Sequence, residues 1–228
     1  MNAILVTGAN RGIGLEFVRQ HAEEGARVFA CCRNPDAADA LKAIAAKAGG
    51  RVTLHPLDVT SESSIADLAR ALDGQPIDIL INNAGIKGDL HSTTPADTEL
   101  WDQVLRTNAI APFRIAWTLR PNLELGARRM IVNISSGRGS HARHRGDGIA
   151  YCSAKAALNS SMYGLSVQWR GDGFVIVMMA PGPVRTDMNP DARLSVEFSI
   201  GSMRKVIAGL TAADNGRYLD YEGKDVLW

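Results

Sequence analysis

Short apolar segments alternate with longer amphipathic segments along most of the chain. The apolar segments predict strands over 3–7, 27–32, 51–55, 77–82, 128–135, 173–180 and, with a weaker pattern, 216–219. Helical periodicity covers 12–24, 36–48, 62–73, 97–120, 151–170 and 195–209. Segments 77–81 and 175–179 are apolar on both faces, which is typical of parallel strands covered by helices on both sides. We therefore expect one α/β domain over 1–228, with a doubly wound, mostly parallel seven-stranded sheet.

Composition restricts the class of partner. The 228 residues carry a net charge of +1, which gives no reason to expect nucleic acid or an anionic membrane as a partner. The longest apolar run, 174–180, is too short to cross a bilayer, and a strand that begins at Ala3 predicts no secretory leader. Cys31 and Cys32 are adjacent on a predicted buried strand, so we expect core thiols and no disulfide or metal site. These features predict a cytoplasmic protein.

The first predicted strand runs into a glycine-rich turn that opens a helix. Gly8, Gly12 and Gly14 are spaced as Gly-x-x-x-Gly-x-Gly. Because glycine has no side chain, such a turn lets the backbone approach a pyrophosphate, whose charge suits the free N–H groups of a helix N-terminus. We expect a dinucleotide cofactor here.

The end of the second strand indicates which nicotinamide cofactor is bound. An acid there would bind the ribose 2′-hydroxyl, but the chain has Arg33 and Asn34 instead. Arg11, in the glycine-rich turn, is expected on the same side, and two guanidinium groups suit a 2′-phosphate. Asp36 is expected to open the next helix. We predict NADP(H) over NAD(H); the alternative is that these are solvated surface arginines.

Three polar residues predict proton-transfer chemistry. Tyr151 and Lys155 are four apart and share a helix face, and Ser136 follows the fifth strand. An ammonium group near the tyrosine, or an oxidised nicotinamide ring, would lower a phenol pKa that is otherwise near 10. Tyr151 would then exchange a proton with a carbonyl or alcohol oxygen that Ser136 orients.

With these motifs, the chain resembles the short-chain dehydrogenase/reductase superfamily over essentially its whole length. The resemblance implies a Rossmann-type fold and the catalytic residues Asn108, Ser136, Tyr151 and Lys155, with Asn108 holding a water that relays protons to Lys155. Asn83, Ala84 and Gly85 would lie beneath the adenine ribose, and Thr186 would contact the carboxamide. The cofactor-binding residues are expected to be Thr7, Gly8, Asn10, Arg11, Gly12, Ile13, Gly14, Arg33, Asn34, Asp58, Val59, Asn83, Ala84, Gly85, Tyr151, Lys155, Pro181, Gly182, Val184 and Thr186.

A narrower resemblance links the chain to C-factor-like and sniffer-like carbonyl reductases. It is carried by the opening 7–14, by 31–34 and by the tail 216–228. It implies NADPH-dependent reduction of a small-molecule aldehyde or ketone. The alternative is a signalling or redox-sensing protein that binds the cofactor with little turnover.

Two further regions leave their roles open. The loop 137–148 is rich in arginine, histidine and glycine, and either recognises an anionic carbonyl compound or is simply solvated. The superfamily commonly pairs helices equivalent to 97–120 and 151–170 between subunits, which implies a homodimer or homotetramer. Leu158, Met162, Leu165 and Val167 are candidates for that surface. Pro112 is expected to kink the first of these helices.

Overall fold

A computed structural model describes residues 2–88 and 97–228, and it contains one sheet of seven strands. The predicted domain, 1–228, also includes residues 1 and 89–96, which lie outside the described part. The strands are β1 (Ala3–Thr7), β2 (Arg27–Cys32), β3 (Val52–Pro56), β4 (Ile79–Asn82), β5 (Met130–Ile134), β6 (Val175–Ala180) and β7 (Tyr218–Asp220). Their order is β3-β2-β1-β4-β5-β6-β7, and every neighbouring pair is parallel. The predicted doubly wound sheet is confirmed.

The helices lie on both faces of the sheet. They are α1 (Gly12–Glu23), α2 (Asp39–Lys47), α3 (Glu62–Ala71), α4 (Thr98–Leu105), α5 (Ala111–Thr118), α6 (Arg120–Leu125), α7 (Ile149–Gln168) and α8 (Val196–Gly209). Three of them begin at capping side chains, because Ser61, Asp97 and Ser195 accept hydrogen bonds from the first-turn N–H groups of α3, α4 and α8.

Alternate residues of the strands enter two separate cores, as expected for strands covered on both sides. Leu5 and Ile131 face the core built with α3, α5, α6 and α7. Ile4 and Val132 face the core built with α1, α2 and α8. Cys31 and Cys32 divide between the two cores and are both buried, as predicted for core thiols. None of the helices in 2–88 and 97–228 is long and apolar enough to span a membrane.

The structure corrects the prediction for 97–120. Helix α4 ends at Leu105, a π-helical turn covers Arg106–Ile110, and α5 begins at Ala111. Pro112 lies in the first turn of α5. In an α-helix the carbonyl of Asn108 would accept a hydrogen bond from the N–H of residue 112, but proline has no N–H. The short helix α6 was not predicted; Pro121 lies in its first turn, where a missing N–H is tolerated.

Two smaller predictions were wrong. Helix α2 begins at Asp39, so Asp36 lies before the helix, and its carbonyl accepts a hydrogen bond from the Lys42 ammonium group at 2.6 Å. Three of the residues suggested for a subunit surface are buried against the sheet, because that face of α7 fills the core. They are Leu158, Met162 and Leu165. Val167 is half exposed.

Candidate active site

The predicted site residues gather at the carboxyl edge of the sheet. Strands β1 and β4 are neighbours there, and the chain winds outward from them in opposite directions. The crevice at such a switch point is where open α/β sheets bind ligands. The glycine-rich turn follows β1, and the segment 83–85 follows β4.

The glycine-rich turn is packed too closely for side chains. A Cβ on Gly14 would lie 2.3 Å from the carbonyl oxygen of Gly8, and one on Gly8 would lie 2.8 Å from the Cα of Ala84. Gly8 and Gly12 also have φ values of +66° and +54°, which L side chains rarely adopt. These glycines are therefore required by the geometry of the turn.

Side-chain hydrogen bonds tie this turn to the end of β4. The Thr7 hydroxyl accepts from the backbone N–H groups of Asn83 and Ala84, both at 3.0 Å. The Asn83 amide in turn donates to the carbonyls of Thr7 and Gly8 at 2.8 and 3.2 Å. Asn83 thus holds the glycine-rich turn in place. The contact of Asn83 with a cofactor ribose stays a prediction.

The N-terminus of α1 fits a phosphate group. Unlike α3, α4 and α8, this helix has no side-chain cap, and its first turn contains no acidic residue. Its N–H groups and the positive end of its dipole therefore face the glycine cradle without a counter-charge from the helix itself. The arrangement fits the pyrophosphate of a dinucleotide.

Three polar side chains meet at the amino-terminal end of α7. Lys155 is 5% exposed, and its ammonium group donates to the carbonyl of Ile134 at 2.8 Å. The ammonium nitrogen lies 5.9 Å from the centre of the Tyr151 ring. The Ser136 hydroxyl lies close enough to Tyr151 to act on its pKa, which it lowers. The structure therefore brings these three predicted residues together.

Burial controls the pKa values in this cluster. Burial raises the pKa of Tyr151, and it outweighs the hydrogen bond with Ser136 and the charge of Arg138, which both lower it. Burial also lowers the pKa of Lys155 to about 8. The expectation that a neighbouring ammonium lowers the tyrosine pKa is wrong for these side chains, because desolvation dominates. The phenol is consequently protonated at neutral pH.

Asn108 is fully buried in the π-helical turn and is used structurally. Its side-chain oxygen accepts from the N–H of Ile86 at 2.9 Å, and its amide donates to the carbonyl of Ile86 at 2.7 Å. Both polar atoms of the side chain are thus occupied. The main-chain carbonyl, released by Pro112, is the group left for any contact with water.

The segment after β6 lies opposite the glycine-rich turn. A Cβ on Gly12 would lie 3.6 Å from the Cγ2 of Thr186. The carbonyl of Pro181 accepts from the Ser199 hydroxyl at 2.7 Å, and Val184 is buried. Gly182, with a φ of +79°, makes the turn between them. The expected walls of the cofactor crevice therefore face each other.

The two arginines predicted to bind a 2′-phosphate are not joined by any contact described in the structure. Arg11 forms an ion pair with Asp187 at 3.3 Å, in which both side chains are more than two-thirds exposed. Arg33 is exposed near Asp58, and its charge contributes to lowering the pKa of that carboxyl, after the hydrogen bonds from Thr60. Arg11 thus contacts the segment after Thr186.

Buried polar residues behind the site were missed at the sequence level. The Asn82 amide donates to the Asn133 side chain at 2.9 Å, and the Asn133 amide donates to the carbonyl of Val177 at 3.1 Å. The Ser135 hydroxyl donates to Asn159 at 2.6 Å, and the Tyr218 hydroxyl donates to the carbonyl of Ser136. Asn82 and Asn133 could have been noticed in the sequence, because each is an amide residue within an otherwise apolar strand. Tyr218 gave no such signal, because it lies on β7, far from Ser136 in the sequence.

Together, the parallel sheet, the glycine cradle and the tyrosine–lysine–serine cluster define a dinucleotide-dependent oxidoreductase. Residues 2–196 match the short chain dehydrogenase family, and the chain belongs to that family. It is an NAD(P)-dependent oxidoreductase that acts on C=O or CH–OH groups.

Relatives and solved structures agree with this assignment. An uncharacterised oxidoreductase of Schizosaccharomyces pombe is 34% identical, over 96% of this chain and 94% of the relative. The C-signal protein of Myxococcus xanthus is 39% identical, over 67% of this chain and 93% of the relative.

Two crystal structures cover the whole of this chain. The NADPH-bound carbonyl reductase from chicken fatty liver has a TM-score of 0.89 and 34% identity, with 99% of its chain covered. The carbonyl reductase Sniffer of D. melanogaster has a TM-score of 0.91 and 30% identity, with 100% covered. Both narrower resemblances noted in the sequence, to C-factor-like and sniffer-like proteins, are thereby confirmed.

Proposed function

We propose that this protein reduces a small-molecule carbonyl compound with NADPH, with Tyr151 as the general acid. The observation that carries the proposal is the placement of the half-buried Tyr151 beside Ser136 and 5.9 Å from the ammonium nitrogen of the buried Lys155. This cluster lies at the sheet edge that also carries the glycine cradle. The same site can run in the opposite direction as an alcohol dehydrogenase.

The protonated state of the Tyr151 phenol at neutral pH suits its role as proton donor in reduction. A buried phenol whose pKa is raised is protonated at neutral pH and is ready to donate to a carbonyl oxygen. Ser136 would hold that oxygen through its hydroxyl, whose position is fixed by the N–H of Arg138 at 3.2 Å. A bound nicotinamide supplies the hydride.

Lys155 would hold the cofactor ribose and restore the tyrosine proton. With a pKa of about 8, it is mostly protonated at pH 7 and still able to release a proton. Asn108 would position a water through its main-chain carbonyl, because both side-chain atoms are bound to Ile86. The remaining cofactor contacts are proposed for the residues named in the sequence analysis.

NADP(H) is proposed over NAD(H) because Arg33 and Asn34 stand at the end of β2, where an acid would bind the ribose 2′-hydroxyl, and Arg11 in the glycine-rich turn supplies a second cation. Arg33 follows β2 and is exposed. Arg11 is exposed, and its ion pair with Asp187 contributes about 0–1 kcal/mol. A phosphate can therefore compete for its guanidinium group. The NADPH bound to the chicken carbonyl reductase supports the same choice.

A fluorescence titration with NADPH and NADH tests the cofactor, and an aldehyde and ketone panel tests the reaction. Wild-type protein is expected to bind NADPH at least tenfold more tightly, and Arg33→Ala to reduce that ratio. Tyr151→Phe is expected to keep cofactor affinity and lose turnover by about 100-fold or more. Arg193→Ala, an exposed arginine outside the proposed site, is the control. Equal affinities for both cofactors would contradict the NADP(H) choice.

The match to C-signal supports a second candidate, a signalling protein that binds the cofactor with little turnover. The intact cluster of Ser136, Tyr151 and Lys155 favours the enzyme. Tight NADPH binding with no turnover of any compound in the panel, and no effect of Tyr151→Phe, would favour the signalling protein.

A homodimer or homotetramer is also proposed. Apolar side chains on α5 and α7 and in the preceding π-helical turn are 44–50% exposed, namely Ile110, Trp117, Tyr163 and Val167. A surface of this kind suits an isologous contact. Light scattering after size-exclusion chromatography is expected to give at least twice the mass of one chain, and a monomer at micromolar concentration would contradict this.

A further inference from the structure

The loop 137–148 carries three arginines, of which Arg138 is paired with an acid. Arg138 donates to a carboxylate oxygen of Asp147 at 2.6 Å, and both side chains are 21% exposed. This ion pair joins the beginning of the loop to its end. Arg138 is therefore balanced by an acid and supplies little net charge to a ligand.

Among the other cations of the loop, Arg143 packs beside Ser136, the serine that is proposed to orient the substrate. A Cβ on Gly137 would lie 3.4 Å from the Nη1 of Arg143 and 3.8 Å from its Cδ. Gly137 directly follows Ser136, so the guanidinium group packs over the backbone beside that serine. Burial raises the pKa of Tyr218, and the charge of Arg143 acts weakly in the opposite direction. The Tyr218 hydroxyl donates to the Ser136 carbonyl.

The guanidinium group of Arg143 is exposed and has no hydrogen-bond or ion-pair partner within 2–88 and 97–228. The short helical turn that carries it, His141–Arg143, is nevertheless anchored. The N–H of Ala142 donates to the carbonyl of Trp228 at 3.4 Å, and the Trp228 ring packs against Tyr218 with ring centres 5.7 Å apart. An anchored backbone reduces the entropy lost when the side chain binds a ligand.

We propose that Arg143 binds an anionic group, a carboxylate or a phosphate, on the carbonyl substrate. The inference rests on the proposed reductase function and specifies its substrate class. A guanidinium group forms bidentate hydrogen bonds to such a group, and its packing against Gly137 places it next to the residue that follows Ser136. Arg145, exposed in the same loop, serves as the matched control.

The test compares charged carbonyl compounds with uncharged esters of similar shape. NADPH-dependent reduction is measured for 4-carboxybenzaldehyde, for its uncharged methyl ester, for the longer acid 3-(4-formylphenyl)propanoate with its ester, and for 4-formylphenyl phosphate. We expect wild-type kcat/KM to favour an anion over its ester. Arg143→Ala is expected to lower that ratio about tenfold, mainly through KM, with partial recovery in Arg143→Lys. Arg145→Ala is expected to leave the ratio unchanged.

Binding provides a readout that does not depend on turnover. Calorimetric titration of the NADPH complex with 4-(hydroxymethyl)benzoate, an alcohol that the reduced cofactor cannot convert, is expected to show weaker binding for Arg143→Ala than for wild type. If the esters are reduced but no anion depends on Arg143, the anion site is wrong and the reductase function stands. If no compound is reduced, the reductase function fails. The calorimetry then decides the anion site, and equal binding to wild type and Arg143→Ala overturns it.

Discussion

Replacing Lys155 with methionine is expected to stabilise the folded protein while removing its activity. The lysine is 5% exposed, and burial lowers its pKa from 10.5 to about 8. Such a depression means that the folded state holds the charged form at a cost of about 3 kcal/mol at pH 7. Methionine removes that cost and fills a similar volume, although the Ile134 carbonyl loses its donor, which costs about 1–2 kcal/mol. The net gain at pH 7 is about 1–2 kcal/mol.

The dependence on pH separates the charge from the packing. Between pH 8 and pH 10.5 the unfolded chain binds more protons at this lysine than the folded chain does, so the wild-type protein gains stability as pH rises. The advantage of Lys155→Met should therefore shrink by about 2 kcal/mol between pH 7 and pH 9.5. The lost hydrogen bond contributes equally at both pH values and cancels in this difference.

Urea unfolding of wild type, Lys155→Met and Lys205→Met at both pH values provides the assay, without added nucleotide, since a bound cofactor would stabilise the folded state. Lys205 is an exposed lysine on α8, and its substitution should change the free energy of unfolding by less than about 0.5 kcal/mol at either pH. If the difference in the free energy of unfolding between Lys155→Met and wild type is the same at both pH values, the folded state does not hold a buried ammonium at a cost, and the argument is refuted.

Three other perturbations test the site. Gly14→Ala places a Cβ 2.3 Å from the Gly8 carbonyl oxygen. It should weaken NADPH binding by at least tenfold and lower the free energy of unfolding in urea by about 1–3 kcal/mol. NADPH affinity equal to that of wild type would contradict the close packing of the turn. Tyr218→Phe removes the hydroxyl that donates to the Ser136 carbonyl. We expect kcat to fall about threefold to tenfold while NADPH affinity is unchanged. A loss confined to NADPH affinity would contradict a role of Tyr218 in positioning Ser136. For reduction, kcat/KM should fall as pH rises above about 8, where Lys155 begins to lose the proton with which it restores Tyr151. A profile that falls towards acid instead would contradict proton donation through Tyr151 and Lys155.

The architecture was largely predictable from the order of apolar segments. Strands with apolar residues on both faces require helices on both sides, and right-handed crossovers then leave few possible topologies. The region 97–120 could not be read correctly, because helical periodicity is insensitive to a single wider turn. The π-helical turn is visible only in the structure, where the buried Asn108 side chain within it makes two hydrogen bonds to the backbone of Ile86.

The proton chemistry was only partly predictable. A spacing of four residues places Tyr151 and Lys155 on one helix face, but it does not reveal how deeply the pair is buried. Burial reverses the expected direction for the tyrosine pKa, because desolvation is a property of the surrounding packed residues. The loop 137–148 shows the same limit, since only the folded loop separates the paired Arg138 from the free Arg143.

By itself, then, the sequence determined the sheet, the glycine cradle and the residue types of the catalytic cluster, because these depend on local periodicity and short spacings. The tertiary structure decided which groups are buried, which charges are balanced and how Tyr218 reaches Ser136 across 82 residues of chain. Those properties depend on distances between remote segments, which a linear pattern of residues does not record.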